Sequence, residues 1–126
     1  MKHAKTGARL LLGVAYFVFG LNFFLQFIPQ PPSAEPMAKL MGAFFESGYL
    51  FPFIKVTEIV AGGLLLANLF VPLALVILAP ITLNIVAVHA FLDPAGLPVG
   101  VILMVLHVFL GLQYLKHYQP MLAARA

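Results

Sequence analysis

The segment that decides the fold is Leu50–Leu92, LFPFIKVTEIVAGGLLLANLFVPLALVILAPITLNIVAVHAFL, which is apolar over almost its whole length. As a single helix it would be about 65 Å long, roughly twice the hydrocarbon thickness of a bilayer. The segment must therefore turn back on itself. Asn68 and Pro72 are typical of a tight turn between helices, so the sequence predicts membrane spans over residues 50–67 and 71–92.

Two further spans are predicted on either side of this hairpin. Residues 8–28 form an apolar run behind a basic start, and residues 97–115 form another behind the turn signal Asp93-Pro94-Ala95-Gly96. The loop over residues 29–49 opens with prolines, and its apolar residues from Met37 to Tyr49 have helical spacing. The predicted fold is all-α: a single membrane domain over residues 1–126. Its four transmembrane helices form an antiparallel bundle, with a short amphipathic helix in the first extracytoplasmic loop.

The composition narrows the class of protein. Hydrophobic residues make up 63% of the chain and charged residues 9%, whereas soluble domains carry about 25% charged residues. The net charge is only +3 and the basic residues lie near the chain ends, which argues for the lipid bilayer as partner and against nucleic acid. The absence of cysteine excludes chemistry that runs through a protein dithiol.

The charges around the predicted spans also predict an orientation. The basic residues that flank the spans on the side of the two termini have no acidic residue among them; they are Lys2, Lys5, Arg9, Lys116 and Arg125. The other side holds three acidic residues and Lys39. The positive-inside rule then places both termini in the cytoplasm.

Polar residues inside the spans are the candidate functional residues, because a charged side chain facing lipid costs about 2.5–3.5 kcal/mol on insertion scales. Nearly all lie in the outer half or near the midplane. We therefore predict a polar pocket that opens outward, with these candidates: Asn22, Lys55, Glu58, Asn84, His89 and His107. The competing interpretation is structural. Lys55 and Glu58 can neutralise each other, His89 can brace the following loop, and the two asparagines can join helices.

Haem and metal sites are poorly supported. His89 and His107 are expected to differ in depth by roughly 7–10 Å, which does not suit axial ligation of one iron. Glu58 and His89 lack a clear third ligand, so no metal site is predicted. No nucleotide-binding or hydrolase motif is present, and the sequence therefore contains no self-contained catalytic motif.

The chain resembles the DoxX family of small four-helix bacterial membrane proteins. The matching stretches are Ala8–Gly13, Phe19–Asn22, Glu58–Leu66 (EIVAGGLLL) and Val71–Leu75, with His89 near the end of the third span. The resemblance implies the bacterial cytoplasmic membrane and a link to redox work, since a related protein is a subunit of a thiosulfate:quinone oxidoreductase. It also implies a membrane or periplasmic redox partner, and a quinone-like ligand at Glu58, His89 and Asn84.

Three functions remain in competition on the sequence alone. The first is a redox-associated membrane subunit with a quinone-like ligand in the outward pocket. The second is a non-catalytic scaffold or assembly partner, in which the polar residues only hold helices together. The third is a small transporter or channel, which is less well supported because the signatures of small exporters and fluoride channels are missing. Self-association of the chain is compatible with all three.

Overall fold

The computed structural model describes residues 2–30 and 32–125, and its regular elements there are helical. The α-helices are α1 (Lys2–Leu25), α2 (Glu35–Glu46), α3 (Leu50–Ala67), α4 (Val71–Phe91), α5 (Leu97–Gln113) and α6 (Leu115–Tyr118). Short 3-10 turns cover Pro94–Gly96 and Gln119–Leu122. Four helical segments, containing α1, α3, α4 and α5, are long and apolar enough to cross a membrane. The prediction of a helical, multi-pass membrane protein is thereby confirmed.

The turn between α3 and α4 lies where Asn68 and Pro72 predicted it. Asn68 takes the left-handed conformation, with φ 58°, directly after α3 ends at Ala67. Asparagine tolerates this conformation better than most residues with a Cβ, because its short polar side chain can bond locally. Phe70 is also left-handed, with φ 49°, and α4 begins at the next residue. These two left-handed residues, separated by Leu69, bring α4 back alongside α3.

The observed bounds of α1 and α2 differ by a few residues from the sequence prediction. Helix α1 begins at Lys2 and ends at Leu25. It therefore starts six residues before the predicted span over residues 8–28 and ends three residues before the end of that span. Helix α2 begins two residues before the predicted Met37 and ends at Glu46, three residues before Tyr49. Ser47 ends α2 by accepting and donating locally: its hydroxyl donates to Phe44 O at 2.6 Å and accepts from the Leu50 amide at 3.1 Å.

The four long helices pack around a shared interior. Helix α1 contacts α3 and α5, and α4 contacts the same two helices. Fully buried leucines from all four fill the space between them: Leu12, Leu65, Leu78 and Leu110. We call the end that carries α6 and the α3–α4 turn the terminal end, and the opposite end, with α2 and the α4–α5 turn, the loop end.

Glycines set the separation of α1 and α3. A Cβ on Gly62 would lie 2.7 Å from the backbone nitrogen of Phe17, and one on Gly20 would lie 2.7 Å from a side-chain carbon of Ile59. A Cβ on Gly13 would lie 3.1 Å from the carbonyl oxygen of Gly62. Small residues allow helix backbones to approach closely, which is how helices gain van der Waals contact in lipid. The close packing of α1 against α3 therefore fixes the positions of the residues on these two helices.

Three polar contacts hold the terminal end together. Arg9 donates to the carbonyl oxygens of Leu65 and Leu66, the latter at 3.2 Å, where the last turn of α3 lacks helical donors. Lys5 places its ammonium 4.3 Å from the centre of the Tyr114 ring. Tyr118 donates to the carbonyl oxygen of Pro72 at 2.8 Å, which ties α6 to the start of α4.

Candidate functional site

Asn22 is buried at the loop end of α1, where it shapes the chain that follows. Its side-chain amide donates to Ile28 O at 2.9 Å, and its side-chain oxygen accepts from the Ile28 amide at 2.7 Å. This pair of hydrogen bonds closes the turn that follows the end of α1 at Leu25. The side chain of Asn22 is thus committed to its own loop rather than to another helix.

His89 and Asn84 do not join the other candidates. The ring of His89 lies against Gly96, and its Nδ1 is 3.3 Å from the carbonyl oxygen of Asp93. This histidine braces the α4–α5 turn, as the structural interpretation expected. Asn84 is exposed on α4.

Lys55 and Glu58 form an ion pair on α3. The Lys55 ammonium lies 3.5 Å from one carboxylate oxygen of Glu58, and Glu58 is only 4% exposed. The pair packs under Gly20 of α1, whose would-be Cβ is 3.2 Å from the Lys55 carbonyl. Removing one partner of such a pair leaves an uncompensated buried charge, which costs more than the pair contributes. Replacing either Lys55 or Glu58 alone is therefore expected to lower the stability of the protein.

His107 lies in a hydrogen-bonded chain that crosses the interior near the middle of the helices. Its Nδ1 is 2.8 Å from the hydroxyl of Thr82, and its Nε2 is 2.9 Å from the carbonyl oxygen of Leu75. The Thr82 hydroxyl also shares a hydrogen bond with the hydroxyl of Tyr16. A carbonyl oxygen can only accept, so Nε2 of His107 carries a proton. In the neutral ring, Thr82 then donates to Nδ1 and Tyr16 donates to Thr82.

Tyr16 and Thr82 were not among the predicted site residues. Each is a single hydroxyl within a long apolar run, and nothing in the sequence marks its side of the helix as the inner one. Thr82 is 1% exposed and Tyr16 2% exposed. A signal was nevertheless available: both lie near the middle of a span, at the depth where a hydroxyl without a partner is most costly.

A cleft of about 390 Å³ opens at the loop end, beside the turn that Asn22 closes. Its walls are Asn22, Phe23, Gln26, Ile28, Pro29 and Gln30. Gln26 takes the left-handed conformation, with φ 52°, which a glutamine adopts only at a cost. The cleft combines one aromatic wall with two glutamine side chains and the carboxamide of Asn22. Its volume lies in the range of small-molecule sites, about 300–1,000 Å³.

An aromatic cluster continues from the Phe23 wall of the cleft. The Phe23 ring is 5.4 Å from that of Phe51, which is 5.8 Å from that of Phe44. Lys55 follows Phe51 by one helical turn on the same side of α3. The cleft, the aromatic cluster and the Lys55–Glu58 pair thus follow one another inward from the loop end.

The chain matches no family model, no curated protein and no solved structure. Within residues 2–30 and 32–125, no group of three or more histidine, aspartate and glutamate side chains comes together as a metal ion would need.

Proposed function

We propose that this chain is a redox-associated membrane subunit that holds the headgroup of a quinone-like ligand in the cleft at the loop end. The supporting observation is the cleft itself, in which a strained glutamine stands beside an aromatic wall. A quinone headgroup is a flat ring with two carbonyl acceptors. It requires an apolar face to lie against and N–H groups to bind its oxygens.

Phe23, Gln26 and Gln30 supply those groups. The Phe23 ring offers the apolar face, and the two carboxamides each carry N–H donors. A left-handed position at the end of a helix is normally given to glycine, which adopts it at no steric cost. A glutamine there suggests that its side chain has a use, since strain at a functional site is tolerated when the surroundings fix it. Here the surroundings are the two hydrogen bonds between Asn22 and Ile28.

The Lys55–Glu58 pair, which lies further from the loop end than the aromatic cluster, supplies protons to the ligand. Reduction or oxidation of a quinone moves protons as well as electrons, and a carboxylate is a suitable proton carrier. Glu58 lies too deep to line the cleft, so we assign it to proton supply and not to direct contact. Electrons come from or pass to a membrane or periplasmic redox partner, because the chain has no electron-carrying group of its own.

The setting completes the proposal. We place the protein in the DoxX family and in the bacterial cytoplasmic membrane, with both termini in the cytoplasm and the cleft on the outer side. The four long helices form an antiparallel bundle across the bilayer, and α2 lies at the outer interface with Met37 turned toward the protein. The excess of basic residues at the terminal end supports this orientation.

A binding titration tests the proposal. The protein in a mild detergent is titrated with a short-chain, water-soluble ubiquinone or menaquinone analogue by calorimetry. The variant Gln26→Gly removes the carboxamide and also relieves the left-handed strain. We expect Gln26→Gly to bind the analogue about tenfold more weakly, as the loss of one hydrogen bond of ~1.5 kcal/mol would give, while its melting temperature stays the same or rises.

Gln119→Ala is the matched control, because Gln119 is an exposed glutamine at the terminal end. It should bind as the unmodified protein does. Saturable binding that is unaffected by Gln26→Gly would place the ligand elsewhere. No binding of either analogue would favour the scaffold function, and the search would turn to protein partners.

A further inference from the structure

A second concavity lies at the opposite end of the molecule, on the outer face of α4 and α5. It measures about 380 Å³ and reaches from the terminal end to the ring of His107. Its walls are formed largely by aliphatic side chains of the two helices, among them Val76, Val108 and Leu112. The residues after α6 extend it beyond the helices, since Met121 and Leu122 also line it. We call it the α4–α5 groove.

The length of the groove matches one leaflet of a bilayer. Along α5 and the start of α6 its lining runs from His107 to Leu115, which is eight residues or ~12 Å. Half of the ~30 Å hydrocarbon thickness is ~15 Å. Gly111 keeps the groove open, because a Cβ at this position would meet no atom within 4 Å. The space therefore has the shape and lining that an acyl chain fills.

Two basic residues lie close in the sequence to residues that line the groove. Lys116 directly follows the lining residue Leu115, and Arg125 comes three residues after the lining residue Leu122. The chain's four acidic residues lie elsewhere: Glu35, Glu46, Glu58 and Asp93. Basic pockets between membrane helices are known to bind the headgroups of anionic lipids.

From this lining, length and charge we propose that the α4–α5 groove binds one anionic phospholipid, with an acyl chain along the groove and the phosphate at Lys116 and Arg125. This site is separate from the cleft at the loop end. The inference requires only that the four helices span a bilayer, so it stands or falls independently of the quinone-like ligand.

The absence of tryptophan from the chain gives a direct test. A Leu112→Trp reporter in the groove is compared with a Leu73→Trp reporter on α4. Both positions are leucines near a helix end at the terminal end, they are 61% and 54% exposed, and Leu73 does not line the groove. Each variant is reconstituted in vesicles that contain brominated phosphatidylglycerol or brominated phosphatidylcholine, whose bromine atoms quench tryptophan fluorescence on contact.

We expect the Leu112→Trp reporter to prefer phosphatidylglycerol by about fivefold for each basic residue engaged, from ~1 kcal/mol for each lysine or arginine near the surface. The Leu73→Trp reporter should show little preference. Adding Lys116→Gln and Arg125→Gln should remove the preference at Leu112→Trp. Adding Gly111→Leu, which fills the groove, should reduce quenching by both lipids at that reporter.

Equal preference at the two reporters would overturn the proposal, since it would mean that only ordinary surrounding lipid is present. A preference that survives the double Lys116→Gln, Arg125→Gln change would overturn the assignment of the phosphate site.

Discussion

Thr82 lies 2.8 Å from Nδ1 of His107, although 25 residues separate the two in the chain. The same hydroxyl contacts Tyr16 on α1, so a single threonine joins three helices in the interior. Hydroxyl and imidazole groups in the interior of a membrane protein have no water with which to form hydrogen bonds, so each unpaired group lowers the stability. The Tyr16–Thr82–His107 chain thus fixes how α1, α4 and α5 are rotated against one another.

Replacing Thr82 with valine tests this role. Thr82→Val keeps the shape but removes the oxygen that serves both neighbours, so the Tyr16 hydroxyl and His107 Nδ1 lose their partner. We expect a loss of about 1–3 kcal/mol in stability, consistent with one or two hydrogen bonds in a membrane protein. Thermal unfolding in detergent measures it. The control is Thr57→Val, whose hydroxyl bonds only to Phe53 O of its own helix. Equal effects at the two positions would contradict the role of Thr82.

The contact between α1 and α3 predicts a sharp difference between two neighbouring glycines. Gly62→Ala would bring a Cβ to 2.7 Å from the Phe17 backbone, whereas Gly63→Ala would meet nothing within 4 Å. We expect Gly62→Ala to cost about 1–3 kcal/mol through overpacking, and Gly63→Ala to be neutral or stabilising by up to ~1 kcal/mol. Melting temperatures of the two variants decide the matter, and a harmless Gly62→Ala would show that the helices are farther apart.

The chain carries no cysteine, which makes its orientation directly measurable. Ser33→Cys introduces a thiol at the loop end and Ala124→Cys introduces one at the terminal end, both at exposed positions. A membrane-impermeant maleimide should label Ser33→Cys in intact spheroplasts and Ala124→Cys only after lysis. The reverse pattern would invert the orientation and move the cleft to the cytoplasmic side.

Tyr118 predicts a change in stability at alkaline pH. Burial, reinforced by the nearby Tyr114, raises the pKa of the Tyr118 hydroxyl above its ordinary value of 10.0. The neutral hydroxyl donates to Pro72 O, and the ionised form cannot. Its stabilisation is complete below pH ~10 and is lost as the pH rises through the raised pKa. The difference in melting temperature between the unmodified protein and Tyr118→Phe should therefore shrink above pH 10. A difference that does not change with pH would show that the hydrogen bond contributes nothing.

The sequence predicted the helices well because their ends carry chemical signals. Asn68 and Pro72 locate the α3–α4 turn, and the observed bounds of α3 are those expected from them. The end of α1 was predicted three residues too late, and the sequence alone did not show that the side chain of Asn22 bonds to the backbone of Ile28, six residues further along the chain.

The interior of the site was harder to predict. Spans that are apolar all round give no periodicity from which to read the inner face, so Asn84 and Thr82 look alike in the sequence. The structure exposes Asn84 and buries Thr82 two residues before it. The prediction selected strongly polar residues, namely charged, amide and histidine side chains. The less polar hydroxyls of Tyr16 and Thr82 lie in apolar runs and were not selected.

The most direct measurement of the central proposal is a mass spectrum of the organic extract of the protein purified in a mild detergent. The ligand proposal predicts a quinone at near-stoichiometric amount, accompanied by its ultraviolet absorbance. It also predicts that this quinone is depleted in Gln26→Gly and retained in Gln119→Ala. An extract without quinone, from protein that unfolds cooperatively and still carries phospholipid, would contradict the proposal.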